Sequence, residues 1–269
     1  MKYGFMTFSC PDATLEETLS IAQRFGYTGI EPRLDKNHSH GIEVDIGPAG
    51  RTLIKQQAAK AGIDICCLAT SCSYADPATV DQAVEHTRRR IDLAADVGSS
   101  RIRVFGGRIP KGINREQATE QLVRALSSVA DQAASRGVIV CMETHDDWCD
   151  PAHMAVVMKR VNHPAIGVTW DVMHPVFWAG KIMDEAFRTL QPWIRHVHFH
   201  DGVKVGDGGL ELRPMGDGQL DHARALTLLY KDGYDGYLSG EWIGWQPCEV
   251  HLPRELAAMK KFEENCSQK

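Results

Sequence analysis

The chain has 269 residues, 43% of them hydrophobic, which is enough for one large buried core. Its net charge is −5 and its isoelectric point about 6.2, a balance that gives no sign of a nucleic-acid partner. No apolar run approaches the roughly 20 residues of a membrane span, and the eight cysteines form no CxxC pair, so they read as reduced core thiols of a cytoplasmic protein without a secretory signal.

Tyr3 to Phe8 reads as the first strand. Thr14 and Glu17 have capping-box spacing at the head of a helix carrying Leu15, Leu19, Ile21, Ala22 and Phe25, and Gly26 closes it. Thr28 to Pro32 is a second strand ending on Glu31, followed by a loop with His38, His40, Glu43 and Asp45. His38 and His40 read there as solvated or substrate-facing, without a metal role. A helix from Pro48 to Ala61 stops at Gly62, and Ile63 to Thr70 is the third strand. Asp76-Pro77 opens a long helix reaching Val97. Arg101 to Gly107 is the fourth strand with its turn, and Asn114 caps a helix to Arg136. The fifth strand, Val138 to Glu143, precedes a helix over Pro151 to Val161.

Ile166 to Asp171 is the sixth strand, and a helix follows near Lys181 to Leu190. Ile194 to Asp201 is the seventh strand breaking into a polar loop; the glycine-rich loop from Gly202 to Gln219 has the length of a lid or binding loop. Asp221 starts a helix to Tyr230, Tyr234 to Glu241 is the eighth strand, and Leu252 to Glu264 is a closing helix. Eight strands alternating with eight helices predict an α/β fold, a single (β/α)8 TIM barrel over residues 1–269. The helix-closing glycines Gly26, Gly62, Gly98 and Gly137 recur at roughly the spacing of one βα unit.

Four of these strands end on a ligand-type residue: Glu143, Asp171, His198 and Glu241. Strand ends of a barrel deliver side chains to one face, so these four are the candidate metal ligands. Three carboxylates and one imidazole make an oxygen-rich set that suits Mn²⁺ best, with Mg²⁺, Co²⁺ or Zn²⁺ as other occupants. His196, His198 and His200 share one face of their strand; His198 is taken as the ligand and the other two as hydrogen-bonding partners. His145, two residues past Glu143, is a candidate base or supporting partner of the ligands. His174, Arg213 and Glu31 are candidate substrate contacts; the other reading of Arg213 is a surface arginine, and that of Glu31 a pairing with an arginine such as Arg103. Trp148, Trp178, Trp242 and Trp245 lie near the strand ends, where each packs the barrel rim and at least one walls the substrate.

At these residues the chain resembles the sugar phosphate isomerase/epimerase family, relatives of xylose isomerase and endonuclease IV. The matching pieces span nearly the whole chain: Gly26 to Glu31, Arg101 to Gly107, Glu143-Thr144-His145, Trp170 to His174, His196 to Asp201, Pro214 to Gly218, and Gly233 to Glu241. The resemblance implies a divalent-metal-dependent isomerase or epimerase acting on a keto sugar, a sugar phosphate or a related polyol. In the ketose 3-epimerase branch two metal-bound glutamates, here Glu143 and Glu241, flank the substrate carbon; one removes a proton and the other returns it through a metal-stabilised enediolate. That branch pairs the histidine matching His174 with a second glutamate, where this chain has Asp146-Asp147-Trp148-Cys149-Asp150. Glu143-Thr144-His145 instead resembles members that eliminate water, so the alternative is a lyase or dehydratase on a keto-cyclitol, 3-dehydroshikimate or a 3-keto-glycoside, with His145 as base. Two further readings, a DNA repair enzyme and a non-catalytic binding barrel, are disfavoured by the acidic balance and by the intact ligand set respectively. The partner implied is a small carbohydrate-like molecule, with neither nucleic acid nor membrane, and a homodimer or homotetramer is common among such relatives.

Overall fold

The structure, a computed structural model, describes residues 1–206 and 209–266. In chain order its strands are β1 (Lys2–Met6), β2 (Gly29–Glu31), β3 (Asp64–Ile65), β4 (Leu68–Ser73), β5 (Arg101–Phe105), β6 (Ile139–Glu143), β7 (Ile166–Asp171), β8 (Ile194–Phe199), β9 (Asp201–Val205), β10 (Gly209–Arg213) and β11 (Tyr237–Gly240). Nine of them form one parallel sheet in the order β3-β2-β1-β11-β8-β7-β6-β5-β4. A bridge between Arg33 and Ala69 ties the end of β2 to β4, with Leu34 N donating to Ala69 O at 2.9 Å and Ala69 N to Pro32 O at 3.0 Å. β3 and β4 are two halves of one barrel position, so the expected eight-position TIM barrel is what forms.

The helices are α1 (Leu15–Phe25), α2 (Pro48–Ala61), α3 (Val80–Val97), α4 (Arg115–Ser135), α5 (Pro151–Val161), α6 (His174–Phe177), α7 (Met183–Leu190), α8 (His222–Lys231) and α9 (Cys248–Cys266). Local chemistry sets their ends. Thr14 and Glu17 form a full capping box on α1, and Asn114 with Gln117 another on α4. Gly26, Gly62 and Gly98 close α1, α2 and α3 in the left-handed conformation that glycine adopts without strain. None of these helices is long and apolar enough to cross a membrane, and all eight cysteines are free and buried.

Three expectations are corrected. The third strand is not continuous from Ile63 to Thr70; it breaks at Cys66-Cys67 and runs on to Ser73. The stretch expected as a loop from Gly202 to Gln219 contains the antiparallel pair β9–β10, with Val203 opposite Glu211 and Val205 opposite Gly209; Asp207 and Gly208 of that stretch lie outside the described residues. Val203, Val205, Leu210 and Leu212 alternate with polar or glycine positions, the period of a strand, which the glycines obscured. The short α6 after β7 was not expected, because it is too short for a helical period to show.

Strand alternation separates two environments. Val140 and Met142 of β6, Val168 and Trp170 of β7, and Val197 and Phe199 of β8 belong to the hydrophobic layer under the helices. The residues between and beyond them, Glu143, Thr169, Asp171, His196 and His198, face the other way and are as deeply buried. The barrel interior is therefore polar at its C-terminal end, where its strands finish.

Candidate metal centre and substrate cleft

Glu143 ends β6, Asp171 ends β7, His198 lies on β8, and Glu241 follows β11. These strands are consecutive neighbours around the barrel. One ligand atom from each of the four residues lies within 4.8 Å of every other, and all four residues are buried. His198 Nδ1 is 3.1 Å from both Glu143 Oε1 and Glu241 Oε2. The other ring nitrogen, Nε2, is 3.1 Å from Glu31 Oε1. Glu31 Oε2 is 2.8 Å from His196 Nε2, so one buried carboxylate holds both rings. It does not pair with Arg103, whose Nε lies instead 3.0 Å from Glu143 Oε2. A carboxylate behind a histidine fixes the ring so that its opposite nitrogen faces the ligand space, the usual support of a metal-binding imidazole.

Electrostatics agree with that geometry. Burial works against the Glu31 carboxylate, but His198 and His196 hold its pKa well below the usual carboxylate range. Burial also opposes charge on His198, yet Glu31, Glu143 and Glu241 push its pKa well up. Burial raises the pKa of Asp171 and the charges of His174, His200 and His198 lower it, with the net result well down. His200 Nε2 is 2.7 Å from Asp171 Oδ2, and Asp171 Oδ1 accepts the Met173 and His174 amides at 2.8 and 3.0 Å. The acids thus draw positive charge onto the surrounding rings in a space closed to water. A divalent cation satisfies the same demand, and the donor set of three carboxylates and one imidazole fits it.

His174 and His145 line a cleft of about 490 Å³ together with Arg108, Asp146, Asp147 and Trp178. His174 Nδ1 lies 2.8 Å from the Thr144 carbonyl, leaving Nε2 for the cleft. None of the three aspartates that follow His145 replaces the missing glutamate partner. Asp146 lies 3.0 Å from His145 Nδ1, Asp147 accepts the Ile109 amide at 2.6 Å, and Asp150 caps α5 through Ala152 at 2.9 Å. Burial lowers the pKa of His145, but the Asp146 contact and the charges of Glu143 and Glu241 outweigh it and push the value up to about 9. In the protein alone that ring is an imidazolium near neutral pH, set to donate a proton.

Arg213 ends β10 and pairs with Glu211 at 3.0 Å, its side chain 44% exposed. Trp148 and Trp242 are buried in the core, whereas Trp178 is 40% exposed at the cleft and is the tryptophan that walls it. His38 Nδ1 lies 3.0 Å from Thr7 Oγ1; His40 is buried rather than solvated, and its Nδ1 accepts the Ile42 amide at 3.0 Å. One arginine was missed from sequence, Arg33 beyond β2, and Arg103, expected as a partner of Glu31, sits on Glu143 instead. The available signal was parity, because Arg33 stands two residues past Glu31 and Arg103 two before Phe105 on extended strands.

Comparison with known proteins places these features in context. A Xenopus laevis protein provisionally named hydroxypyruvate isomerase is 24% identical over 202 residues, covering 71% of this chain and 70% of that protein. The solved structure of an L-ribulose 3-epimerase superposes with a TM-score of 0.80 at 18% identity, covering 100% of this chain and 96% of the other. That of a Bacillus anthracis protein provisionally described as a 3-DHS dehydratase gives a TM-score of 0.80 at 18% identity, over 97% of this chain and 99% of the other. The family profile of xylose isomerase-like TIM barrels matches residues 19–262, and the chain belongs to that family.

Proposed function

We propose that the protein is a divalent-metal-dependent isomerase or epimerase of a small hydroxy-ketone: a keto sugar, its phosphate, or a hydroxy-keto acid such as the hydroxypyruvate in the name of the Xenopus relative. The observation that carries the reading is the convergence of Glu143 and Glu241, from strands three places apart in the barrel order, on one buried ligand set with Asp171 and His198 between them. A divalent cation held by these four residues, Mn²⁺ by preference for the oxygen-rich set, would supply Lewis acidity that acidifies the C–H beside a carbonyl. Glu143 and Glu241 then serve as the proton carriers: one accepts the carbon-bound proton and the other delivers a proton back. Return to the opposite face of the same carbon is epimerisation. Return to the adjacent carbon, with the hydroxyl proton moving to the former carbonyl oxygen, is isomerisation, and neither needs a co-reactant. His174 Nε2 and Trp178 orient the substrate in the cleft, and Glu31 keeps His198 aimed at the ligand space.

Proton NMR in D₂O tests this with metal-loaded protein, a panel of ketoses and hydroxy-keto acids, and Glu241→Gln as control. Deuterium should enter a carbon next to the carbonyl and fail to enter with the variant. Compounds that bind to metal-loaded protein without exchanging would overturn the reading. A second reading has its own observation, the placement of His145 on the cleft beside Asp146. In a lyase a glutamate takes the proton from the carbon beside the carbonyl and that ring gives its proton to the departing hydroxyl, which leaves as water. His145→Ala would then abolish turnover with metal still bound, and the product would lack one water.

A further inference from the structure

Three arginines are buried in this protein, Arg33, Arg90 and Arg103. Arg90 pairs with Asp35, and Arg103 has Glu143 at 3.0 Å. Arg33 is 4% exposed and has no carboxylate within ion-pair distance among the described residues. Its Nη1 donates to the carbonyls of Leu34 and of Ala69, the latter at 3.2 Å, and its Nη2 donates to Ser71 Oγ at 2.8 Å. Three of the five N–H groups of its guanidinium are thus placed on neutral acceptors. The Nε–H and the second Nη2–H meet no acceptor among the described residues, and unlike Nε of Arg90 and Arg103, Nε of Arg33 is not enclosed by protein. A buried cation without an anion is costly, so a guanidinium kept in this state implies an anion that arrives.

Its position says where that anion sits. The strand runs on past Glu31, since Arg33 bridges Ala69 of β4. Ile30 and Leu34 join the hydrophobic layer, so Glu31 and Arg33 face the interior, with Arg33 one layer nearer the mouth. Glu31 lies under His198, which puts Arg33 above that level, across the barrel from β6, β7 and β8, with β11 two places away on its own side. Through space Arg103 works against its charge and Asp35, Glu241 and Glu143 favour it, none of them paired with it. The barrel mouth is therefore split. Acids and the candidate metal ligands occupy one side, and a fork of free N–H donors the other.

The geometry points to Arg33 as the anchor for a substrate carboxylate, which makes the natural substrate a short hydroxy-keto acid rather than a neutral ketose. The inference rests on the isomerase reading for the rest of the site. The carbonyl and hydroxyl of such a molecule face Glu143 and Glu241, and the carboxylate end faces the guanidinium, whose planar donors match two oxygens. A carboxylate is favoured over the bulkier phosphate because only two N–H groups are free.

The test compares hydroxypyruvate, dihydroxyacetone (the same carbon chain with the carboxylate replaced by a hydroxymethyl group) and dihydroxyacetone phosphate. Each is measured with metal-loaded wild type and Arg33→Gln, by calorimetric binding and by deuterium uptake in D₂O. Hydroxypyruvate should be bound and exchanged ~100-fold better than dihydroxyacetone, and Arg33→Gln should remove most of that preference while changing dihydroxyacetone less than about threefold. Arg33→Lys should recover only part of it. Equal losses on the acid and the neutral ketone, no preference in the wild type, or a stronger preference for the phosphate would each overturn the proposal. If Arg33→Gln does not fold, the wild-type preference and Arg33→Lys still decide. Arg33-dependent binding without exchange would leave the anchor standing and remove the isomerase reading; exchange of hydroxypyruvate unaffected by Arg33→Gln would do the reverse.

Discussion

At the scale of the residue, the candidate metal centre depends on a side chain outside the set of four candidate ligands. Glu31 lies behind His198 and shares its carboxylate with His196. Replacing Glu31 with Gln keeps the volume but gives up the charge that orients both rings. Metal affinity should fall by ~10–100-fold, as for other carboxylates behind metal-binding histidines, and Mn²⁺ titration followed by electron paramagnetic resonance reads it directly. An unchanged affinity would show that His198 is held by its strand alone. Asp201 is a second buried carboxylate, and it holds the segment after the hairpin rather than the ligand set. It accepts the amides of Gly202 at 2.8 Å, Gly216 at 2.9 Å and Gly218 at 3.1 Å, and lies 3.3 Å from His222 Nε2. Burial raises its pKa, but His222 and the Gly216 and Gly202 amides bring the net value below the usual range. A carboxyl with a lowered folded pKa stabilises the protein above its unfolded pKa of about 4 and loses that contribution as the pH falls through the folded value. Acid unfolding of the wild type should therefore be steeper below about pH 4 than that of Asp201→Asn; identical profiles would remove Asp201 from the account.

At the scale of the element, two features position the cleft. Gly106 follows β5, and a Cβ there would stand 2.6 Å from Met142 Cε and closer still to the Trp148 ring. Trp148 is fully buried and donates its indole N–H to the Gly107 carbonyl at 2.9 Å. Gly106→Ala must displace that ring, which should cost about 1–3 kcal/mol by overpacking and disturb the segment carrying Asp146 and Asp147. Urea unfolding measures the cost, and a midpoint equal to wild type would mean the turn relaxes freely. The hairpin β9–β10 is the other feature. Its closing end is tied to the barrel through Asp201, and Lys204 lies 5.7 Å from the Trp178 ring centroid, so the hairpin and the cleft wall are in contact.

At the scale of the whole molecule, the barrel gathers three acids and an imidazole onto four consecutive strands and leaves Arg33, beyond β2, without an ion-pair partner among the described residues. A divalent metal that binds only the folded state adds RT ln(1 + [M]/Kd) to stability, about 2.7 kcal/mol at a hundredfold excess over Kd. The midpoint of thermal unfolding should therefore rise on adding Mn²⁺, fall again with a chelator, and respond far less in Asp171→Asn. A midpoint indifferent to Mn²⁺, Mg²⁺, Co²⁺ and Zn²⁺ alike would show that the ligand set holds no metal.

The barrel was written in local signals. Capping boxes at Thr14 and Asn114, closing glycines at Gly26, Gly62 and Gly98, and strand-length apolar runs each report on a few neighbouring residues, and they gave the order of elements directly. The hairpin β9–β10 and the break between β3 and β4 escaped because glycines and an adjacent cysteine pair blur a two-residue period. The gathering of Glu143, Asp171, His198 and Glu241 was legible too, because a barrel strand that ends on an acid or an imidazole can deliver it to one place only. The tertiary structure alone decided who pairs with whom. Glu31 and His198 are separated by 167 positions, and Arg103 and Glu143 meet because β5 and β6 are neighbours in register. Whether a buried charge is balanced or left free, as at Arg33, depends on atoms brought together by closure of the ring, and no window of sequence contains them.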